Sequence, residues 1–325
     1  MVERAREPDG AACAGTTAFA SPDAALAAPR RGPPPPLAPE EIDRFVRPAL
    51  AEDRGGGDLT SIHAIPEGAR ARARLVSKSD GVVAGLPVFA RAFVLCDPRA
   101  KVELLAEDGA RIARGQELAR IEGLARALLT AERTALNFVQ RLSGVASLTA
   151  RMVALARQGN PAARVLDTRK TTPGLRLLEK HAVRAGGGEN HRFGLYDEAM
   201  LKENHVELAG RPIADVLASL RRAVGPSVRI TCDARDEAEA RAGVEGGADV
   251  VLLDNLRLAE LARLVPLLRS LAAGRGRALE LEASGGIDER TISAVAATGV
   301  DRLSVGALTH SAPALDLSLD LEPLR

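Results

Sequence analysis

From residue 142 onward the chain alternates short apolar runs with longer stretches whose apolar residues recur at helical spacing. Runs at 164–167, 199–202, 228–232, 249–253, 279–283 and 302–305 predict strands. The stretches at 213–223, 236–245, 258–271 and 289–297 predict amphipathic helices between them. Strict strand–helix alternation predicts parallel strands in a barrel or an open sheet, with the helices outside.

Upstream the pattern changes. A helix is predicted from Pro39, where Ile42, Phe45, Val46 and Leu50 form one apolar stripe, and Gly55-Gly56-Gly57 breaks it. Segments 72–77, 101–106 and 118–122 alternate like strands, with turn signals at Asp80-Gly81 and Asp108-Gly109. Residues 107–123 predict a structural hairpin with no lysine at its turn to serve as a swinging arm. Residues 124–158 are helical by pattern, interrupted at Ser143-Gly144, and 315–321 alternate like a strand returning to the small domain. Residues 1–38 are rich in Ala, Pro, Gly and Arg, include Pro33-Pro34-Pro35-Pro36, and predict a disordered tail. Glu3, Glu7, Asp9 and Asp23, with no apolar core segment, argue against a secretory or transit signal. The expected units are therefore a tail over 1–38, an N-terminal α/β domain over 39–141 joined by 312–325, and an α/β barrel over 142–311.

Composition narrows the function classes. Lys plus Arg number 44 against 43 Asp plus Glu, and a net charge of +1 argues against a general nucleic-acid or membrane surface. One Tyr, six Phe and no Trp leave little for base stacking, so Leu, Val and Ala must pack the core. Cys13, Cys96 and Cys232 show neither metal-ligand spacing nor a disulfide framework, which fits a reducing cytoplasm. No apolar run is long enough to span a bilayer.

The candidate chemistry gathers in residues 167–205, DTRKTTPGLRLLEKHAVRAGGGENHRFGLYDEAMLKENH. Only five lysines occur in the chain, and Lys170, Lys180 and Lys202 fall here, where Arg is the habitual cation elsewhere. A lysine in that background marks a position wanting a compact point charge. Arg169 and Lys170 follow one strand and Lys202 ends another, and in barrels the chemistry collects at strand C-termini. The same rule selects the 231–233 strand end, Asp254, Ser284-Gly285-Gly286 and Gly306-Ala307. Cations within about 4 Å repel by roughly 4 kcal/mol per pair at an effective dielectric near 20, so such a cluster implies a polyanionic ligand. The two Gly-bearing strand ends, Ser284–Gly286 and Val305-Gly306-Ala307, can present backbone amides to a terminal phosphate. No G-x-x-x-x-G-K-[ST] loop and no dinucleotide fingerprint is present, which sets aside nucleotide hydrolysis and hydride transfer.

The motifs DTRKTTPGLR, GGGENHR and LKENH, with Glu132–Asn137, Leu253-Asp254-Asn255, Glu282–Gly286 and Ser304–His310, resemble the quinolinate phosphoribosyltransferase (nicotinate-nucleotide pyrophosphorylase) family over about residues 40–320. The resemblance implies an open six-stranded, TIM-like α/β barrel with a smaller N-terminal α/β sandwich domain. It implies transfer of phosphoribose from phosphoribosyl pyrophosphate to quinolinate, giving nicotinate mononucleotide, pyrophosphate and CO2 in de novo NAD synthesis. Arg169, His191 and Arg192, with Arg133 reaching over from the partner of a homodimer, would grip the two carboxylates. Thr168, Lys170 and Lys202 would face the phosphates with substrate-chelated Mg2+, and no organic cofactor is expected. Asp254 would contact ribose hydroxyls or the metal. Assembly beyond the dimer, to a hexamer, stays open. One departure concerns Thr231, which stands where the family usually carries a ribose-contacting glutamate; either Asp233 or Asp254 would then compensate, or the ribose contact would be weaker. Two alternatives remain at this point: a paralogue acting on another nitrogen base, and a non-catalytic sensor of phosphate ligands.

Overall fold

The computed structural model describes residues 34–324. The sequence-predicted tail therefore falls, for residues 1–33, outside the described residues. Helix α1 (Pro39–Arg54) buries Ile42, Val46 and Leu50 along one stripe and ends at Gly55. Asp58 then caps a short helix, α2 (Leu59–Ala64), by accepting from the Ser61 amide at 2.9 Å.

Strands β1 (Arg70–Ser77), β3 (Lys101–Leu104) and β5 (Glu117–Leu124) join the C-terminal strand β12 (Leu317–Pro323) in an antiparallel sheet ordered β12-β1-β5-β3. The last strand thus returns to pair with the first. Helix α3 (Leu86–Cys96) buries Leu86, Val88, Phe89, Ala92 and Phe93, making the small unit a two-layer sandwich. The hairpin expected over 107–123 does not form. Its first arm, β4 (Arg111–Ile112), pairs with β2 (Gly81–Val82), whereas β5 joins the main sheet. Alternation identified the strands but carries no information on which neighbour each arm pairs with.

Helix α4 (Ala125–Gly159) is continuous through Ser143-Gly144, against the expected interruption. Gly144 has a packing role: a Cβ there would lie 2.0 Å from the Pro313 carbonyl oxygen. The returning chain crosses the helix at that point. Ser143 and Ser147 satisfy another crossing chain, accepting from the Ala84 and Val82 amides at 3.0 and 2.8 Å. Small residues here admit backbone and do not break the helix. Gly144→Ala is expected to lower stability by about 1–3 kcal/mol through overpacking, read as a shifted urea midpoint with unchanged slope.

The second unit carries β6 (Arg164–Leu166), β7 (Ala199–Leu201), β8 (Ile230–Ala234), β9 (Val250–Asp254), β10 (Glu280–Ser284) and β11 (Arg302–Ser304). All pair in parallel, in the order β6-β11-β10-β9-β8-β7. The first strand meets the last, and each later strand meets its successor, so the order is that of a closed ring. Only the β6–β7 seam is unpaired among the described residues, and the α/β barrel is open there. Glu189 bridges to Leu166 along that seam. The connecting helices are α5 (Arg176–Ala185), α6 (Glu203–Ala209), α7 (Ile213–Val224), α8 (Glu237–Glu245), α9 (Leu258–Ala273), α10 (Ile292–Ala297) and α11 (Ala307–His310). The pattern alone missed α2, α3, α5, α6 and α11; three of these five are under eight residues, too short to show a full periodic stripe.

Candidate active site

Parity along the strands sets what faces the barrel interior. On β8, Cys232 points outward against α8, where a Cβ at Gly243 would sit 3.2 Å from its Sγ. Burial pushes that thiol up to about 12, so it is an inert packing residue. Thr231 and Asp233 point inward, as do Leu252 and Asp254, Glu282 and Ser284, and Arg302 and Ser304. Register places Asp233, Leu252, Glu282 and Arg302 at one level.

At the C-terminal mouth of these strands lies a cleft of about 520 Å³. Its lining includes Thr168, Arg169, Lys170, His191, Arg192, Lys202, Asp254, Ser284, Gly285 and Gly286, all anticipated from the sequence. A second lobe of about 270 Å³ shares Thr168, Lys170 and Ser284–Gly286 and adds Gly306, Ala307 and His310. Lys170 lies across Gly306, where a Cβ would come within 3.0 Å of its Cδ. One anion can therefore meet the lysine and the strand-end glycines together.

Asp167, fully buried at the end of β6, organises the loop carrying His191 and Arg192. It accepts from Asn190 Nδ2 at 2.5 Å, from the His191 amide at 2.9 Å, and from Lys180 Nζ. Lys180 also donates to the His191 carbonyl at 3.0 Å. It is 2% exposed and stays out of the cleft, so this member of the lysine cluster is structural. Burial drives its pKa down against the pull of Asp167. Glu179, buried on α5, fixes the Arg169-Lys170 loop by accepting from the Thr172 amide and hydroxyl at 2.9 and 2.8 Å. Arg141 of α4 holds Glu179 at 2.8 Å, and Thr309 Oγ1 donates to the Lys170 carbonyl at 2.8 Å.

The electrostatics are unbalanced toward an anion. Arg169 and Lys170 are exposed in the cleft and make no ion pair with any described carboxylate. Arg192 is 7% exposed; burial and then the neighbouring Arg169 charge both push its pKa down. Lys202 pairs with Asp233 at 2.5 Å. Burial raises the Asp233 pKa, with Lys202 opposing.

Three anticipated residues lie elsewhere. Thr231 is fully buried below the cleft and donates to Glu198 Oε1 at 2.7 Å, so it is a support and not a lining residue. The nearest carboxylate to it is therefore Glu198, a position that no sequence signal singled out. Val305 is buried behind the mouth; of its segment only Gly306 and Ala307 line the second lobe. Arg133 is exposed on α4, outside the cleft, and makes no hydrogen bond or ion pair with a described residue.

Others were missed. Met200, Leu252, Asn255, Glu282 and Ser304 line the cleft. Asn255 adopts a left-handed backbone, φ 56°, and its amide side chain donates to Asp254 Oδ2 at 2.8 Å. Gly285, φ 94°, makes room for it, since a Cβ there would lie 2.1 Å from Asn255 Oδ1. Glu282 is fully buried between His191 Nε2, 3.2 Å from Oε1, and Arg302 Nε, 2.9 Å from Oε2. Burial alone would raise its pKa, but those two neighbours outweigh it and hold the carboxyl at about 2. With a folded pKa below the unfolded value, its stabilising contribution is complete above about pH 5 and is lost as pH falls toward about 2. The loss is on the order of 3 kcal/mol, and a Glu282→Gln/Arg302→Met double variant should show a correspondingly flatter acid limb in urea titrations.

A parallel barrel whose strand ends gather lysines, arginines and glycines around a cleft defines a class: enzymes that handle a phosphorylated sugar beside a second anion. Comparison with known proteins gives the family. Residues 58–143 match the quinolinate phosphoribosyl transferase N-terminal domain, and residues 145–320 match the C-terminal domain. The chain belongs to the quinolinate phosphoribosyltransferase family. It is 39% identical over 284 residues to a probable nicotinate-nucleotide pyrophosphorylase [carboxylating] of Bacillus subtilis, covering 86% of this chain and 93% of that protein. The chloroplastic enzyme of Oryza sativa is 37% identical, over 92% of this chain and 83% of its own. Among solved structures, NadC from Streptococcus pyogenes superposes with a TM-score of 0.82 at 39% identity, covering 90% of this chain and 100% of that one. The nicotinate-nucleotide pyrophosphorylase of Francisella tularensis gives 0.80 at 34% identity, covering 88% and 98%.

Proposed function

We propose that this chain is a quinolinate phosphoribosyltransferase, converting quinolinate and phosphoribosyl pyrophosphate to nicotinate mononucleotide, pyrophosphate and CO2 in de novo NAD synthesis. The observation that carries the reading is the single cleft holding Arg169, Lys170, His191, Arg192 and Lys202, two of them without carboxylate partners. Two adjacent carboxylates suit the forked donors of Arg169 and Arg192 with His191 beside them. Lys170 and Lys202 face the charge that grows on departing pyrophosphate. Electrostatic stabilisation there counts only so far as it exceeds that given to bound substrate.

Mg2+ fits the residues present. A magnesium ion carried on substrate phosphates needs only one or two protein carboxylates, and Asp254 offers an oxygen to the cleft while Asn255 steadies the other. When bound, the ion would neutralise pyrophosphate charge. Asp254 itself would face the ribose as positive charge develops at its anomeric carbon. Decarboxylation then follows from the substrate, since glycosylation makes the ring nitrogen cationic and lets the adjacent carboxylate leave as CO2.

A homodimer completes the site in this reading. Leu129, one turn before Arg133 on α4, is exposed, as are Leu59 and Ile62 on α2, whose capping Asp58 meets Thr130 of α4, and Leu195, Tyr196 and Leu208 on either side of β7. Apolar faces of that kind fit a mutual contact that carries Arg133 over the partner's cleft. Among the described residues no helix is long and apolar enough to cross a membrane. A cytoplasmic setting is the reading for this chain, although relatives from Oryza and Arabidopsis are chloroplastic. The test is direct: purified protein with quinolinate, phosphoribosyl pyrophosphate and Mg2+ should release nicotinate mononucleotide and CO2 in equal amounts. Product from nicotinate and none from quinolinate would replace this reading by the paralogue acting on another base. Binding of the phosphoribosyl donor without turnover of either acid would leave the sensor.

A further inference from the structure

We propose that Glu282 is a positioning residue that aims His191 at the substrate's carboxylates, so that acid recognition depends on a carboxylate beneath the cleft. The inference rests on the function proposed above. Four observations carry it. First, the imidazole is 5% exposed and has a fixed sense: its Nδ1 accepts the Arg192 amide at 2.6 Å, so Nε2 bears the proton. Second, Nε2 faces Glu282 Oε1 at 3.2 Å, yet the contact is not an aligned hydrogen bond, and Nε2 is buried without one. Its hydrogen-bonding capacity is unspent, and His191 lines the cleft in which a second acceptor would bind. Third, Glu282 is met from its other side by Arg302, 1% exposed, in an ion pair at 2.9 Å to Oε2 that is likewise not an aligned hydrogen bond, and Ser304 Oγ donates to Oε1. Fourth, a negative charge on the floor of a cleft meant for dianions would repel them unless a cation met it. Arg302 does so, and the His191 Nε2–H faces its other oxygen.

The other groups around His191 have different tasks. Asp167 takes its backbone amide, Lys180 its carbonyl, and Glu198 lies 4.0 Å from Nδ1 while accepting from Thr231. None of these meets Nε2, the atom that would contact substrate. Glu282 alone among the described residues pairs with it. The arrangement is an Nε2–H donor supported from behind by a carboxylate, the logic by which outer partners orient ligand-binding histidines elsewhere.

The experiment is Glu282→Gln, with Glu282→Asp as the conservative variant and His191→Asn for a double-mutant cycle. In Glu282→Gln, KM for quinolinate should rise by roughly tenfold to a hundredfold, the range of a lost charge-assisted hydrogen bond, while KM for phosphoribosyl pyrophosphate stays within about twofold. Glu282→Asp should recover part of the loss. In the His191→Asn background the Glu282→Gln change should have little further effect on quinolinate KM. Equal rises in both KM values, or additive effects of the two substitutions, would overturn the proposal and leave Glu282 a purely structural ion. Should Glu282→Gln fail to fold because Arg302 is stranded, the Glu282→Gln/Arg302→Met variant removes both charges and carries the same readouts. The failures are separable: wild-type protein inert toward quinolinate sinks the proposed function, whereas active wild type with an unaltered Glu282→Gln variant sinks this inference alone.

Discussion

Replacing Lys202 by Ala is expected to lower kcat by roughly a hundredfold to a thousandfold, with a much smaller change in affinity for either substrate. The expectation follows from where the ammonium sits. It follows β7 directly at the barrel mouth, in a cleft with Lys170 and Asp254, and its ground-state partner is Asp233 at 2.5 Å. While substrates are merely bound, Lys202 can remain paired with that carboxylate. As the bond to pyrophosphate stretches, the growing charge competes for the ammonium, and the interaction becomes stronger in the transition state than before it. Interactions of that kind appear in kcat and not in KM. Asp233 makes the exchange easier, because burial raises its pKa and only Lys202 opposes the rise. Lys202→Ala removes that opposition and pushes the Asp233 pKa up further, so the variant's site should be less negative than simple charge counting suggests. The measurement is steady-state kinetics over both substrates on a variant whose denaturation midpoint matches wild type. A rise in KM for quinolinate with kcat unchanged would move Lys202 from the leaving-group end to the acid end of the cleft.

How much of this was legible beforehand divides along physical lines. Strand–helix alternation located all six barrel strands to within a few residues, because parallel strands covered on both faces read as apolar runs. Strand-end position then found most of the cleft, including Lys170, Lys202, Asp254 and the Ser284–Gly286 turn. What stayed hidden were residues whose meaning depends on partners far along the chain. Glu282 and Arg302 sit in short strands and read like any charged residue; their burial against His191 is a property of the closed barrel. Thr231 was expected to touch ligand because it stands at a strand end where the family carries a ribose-contacting glutamate, but one level of depth separates lining from support, and Thr231 lies at the lower level with Glu198. Gly144 looked like a break for the same reason: the Pro313 backbone that crosses it is far away in sequence. Lys180 shows the converse error. It shares the lysine signal of Lys170 and Lys202, yet its helix turns it inward onto Asp167.

Arg133→Ala and Lys202→Ala, each nearly inactive alone, should together give a heterodimer with about half the wild-type turnover, since one of its two sites then holds both intact residues. The placement of Arg133 supports this. It is exposed on α4, lines no part of its own cleft, and makes no ion pair with a described residue. An arginine of that kind is either a solvated surface residue or one intended for another molecule. Exposed Leu129, one helical turn before it, and exposed Leu59 and Ile62 of the α2 that meets α4 at Thr130 make the bare surface explanation a poor one, because exposed apolar side chains gain when covered. Two separately tagged chains would be coexpressed, the doubly tagged species isolated, and nicotinate mononucleotide formation compared with wild type carried through the same tags. If Arg133 served its own subunit, every site in the heterodimer would carry one lesion and the mixed species would be as inactive as its parents. If Arg133 were only a surface residue, Arg133→Ala homodimers would already work at nearly the wild-type rate, and the heterodimer's half activity would come from the lysine lesion alone. The parents and the mixture therefore separate all three arrangements. Recovery from two inactive parents is the result that a site shared between subunits requires.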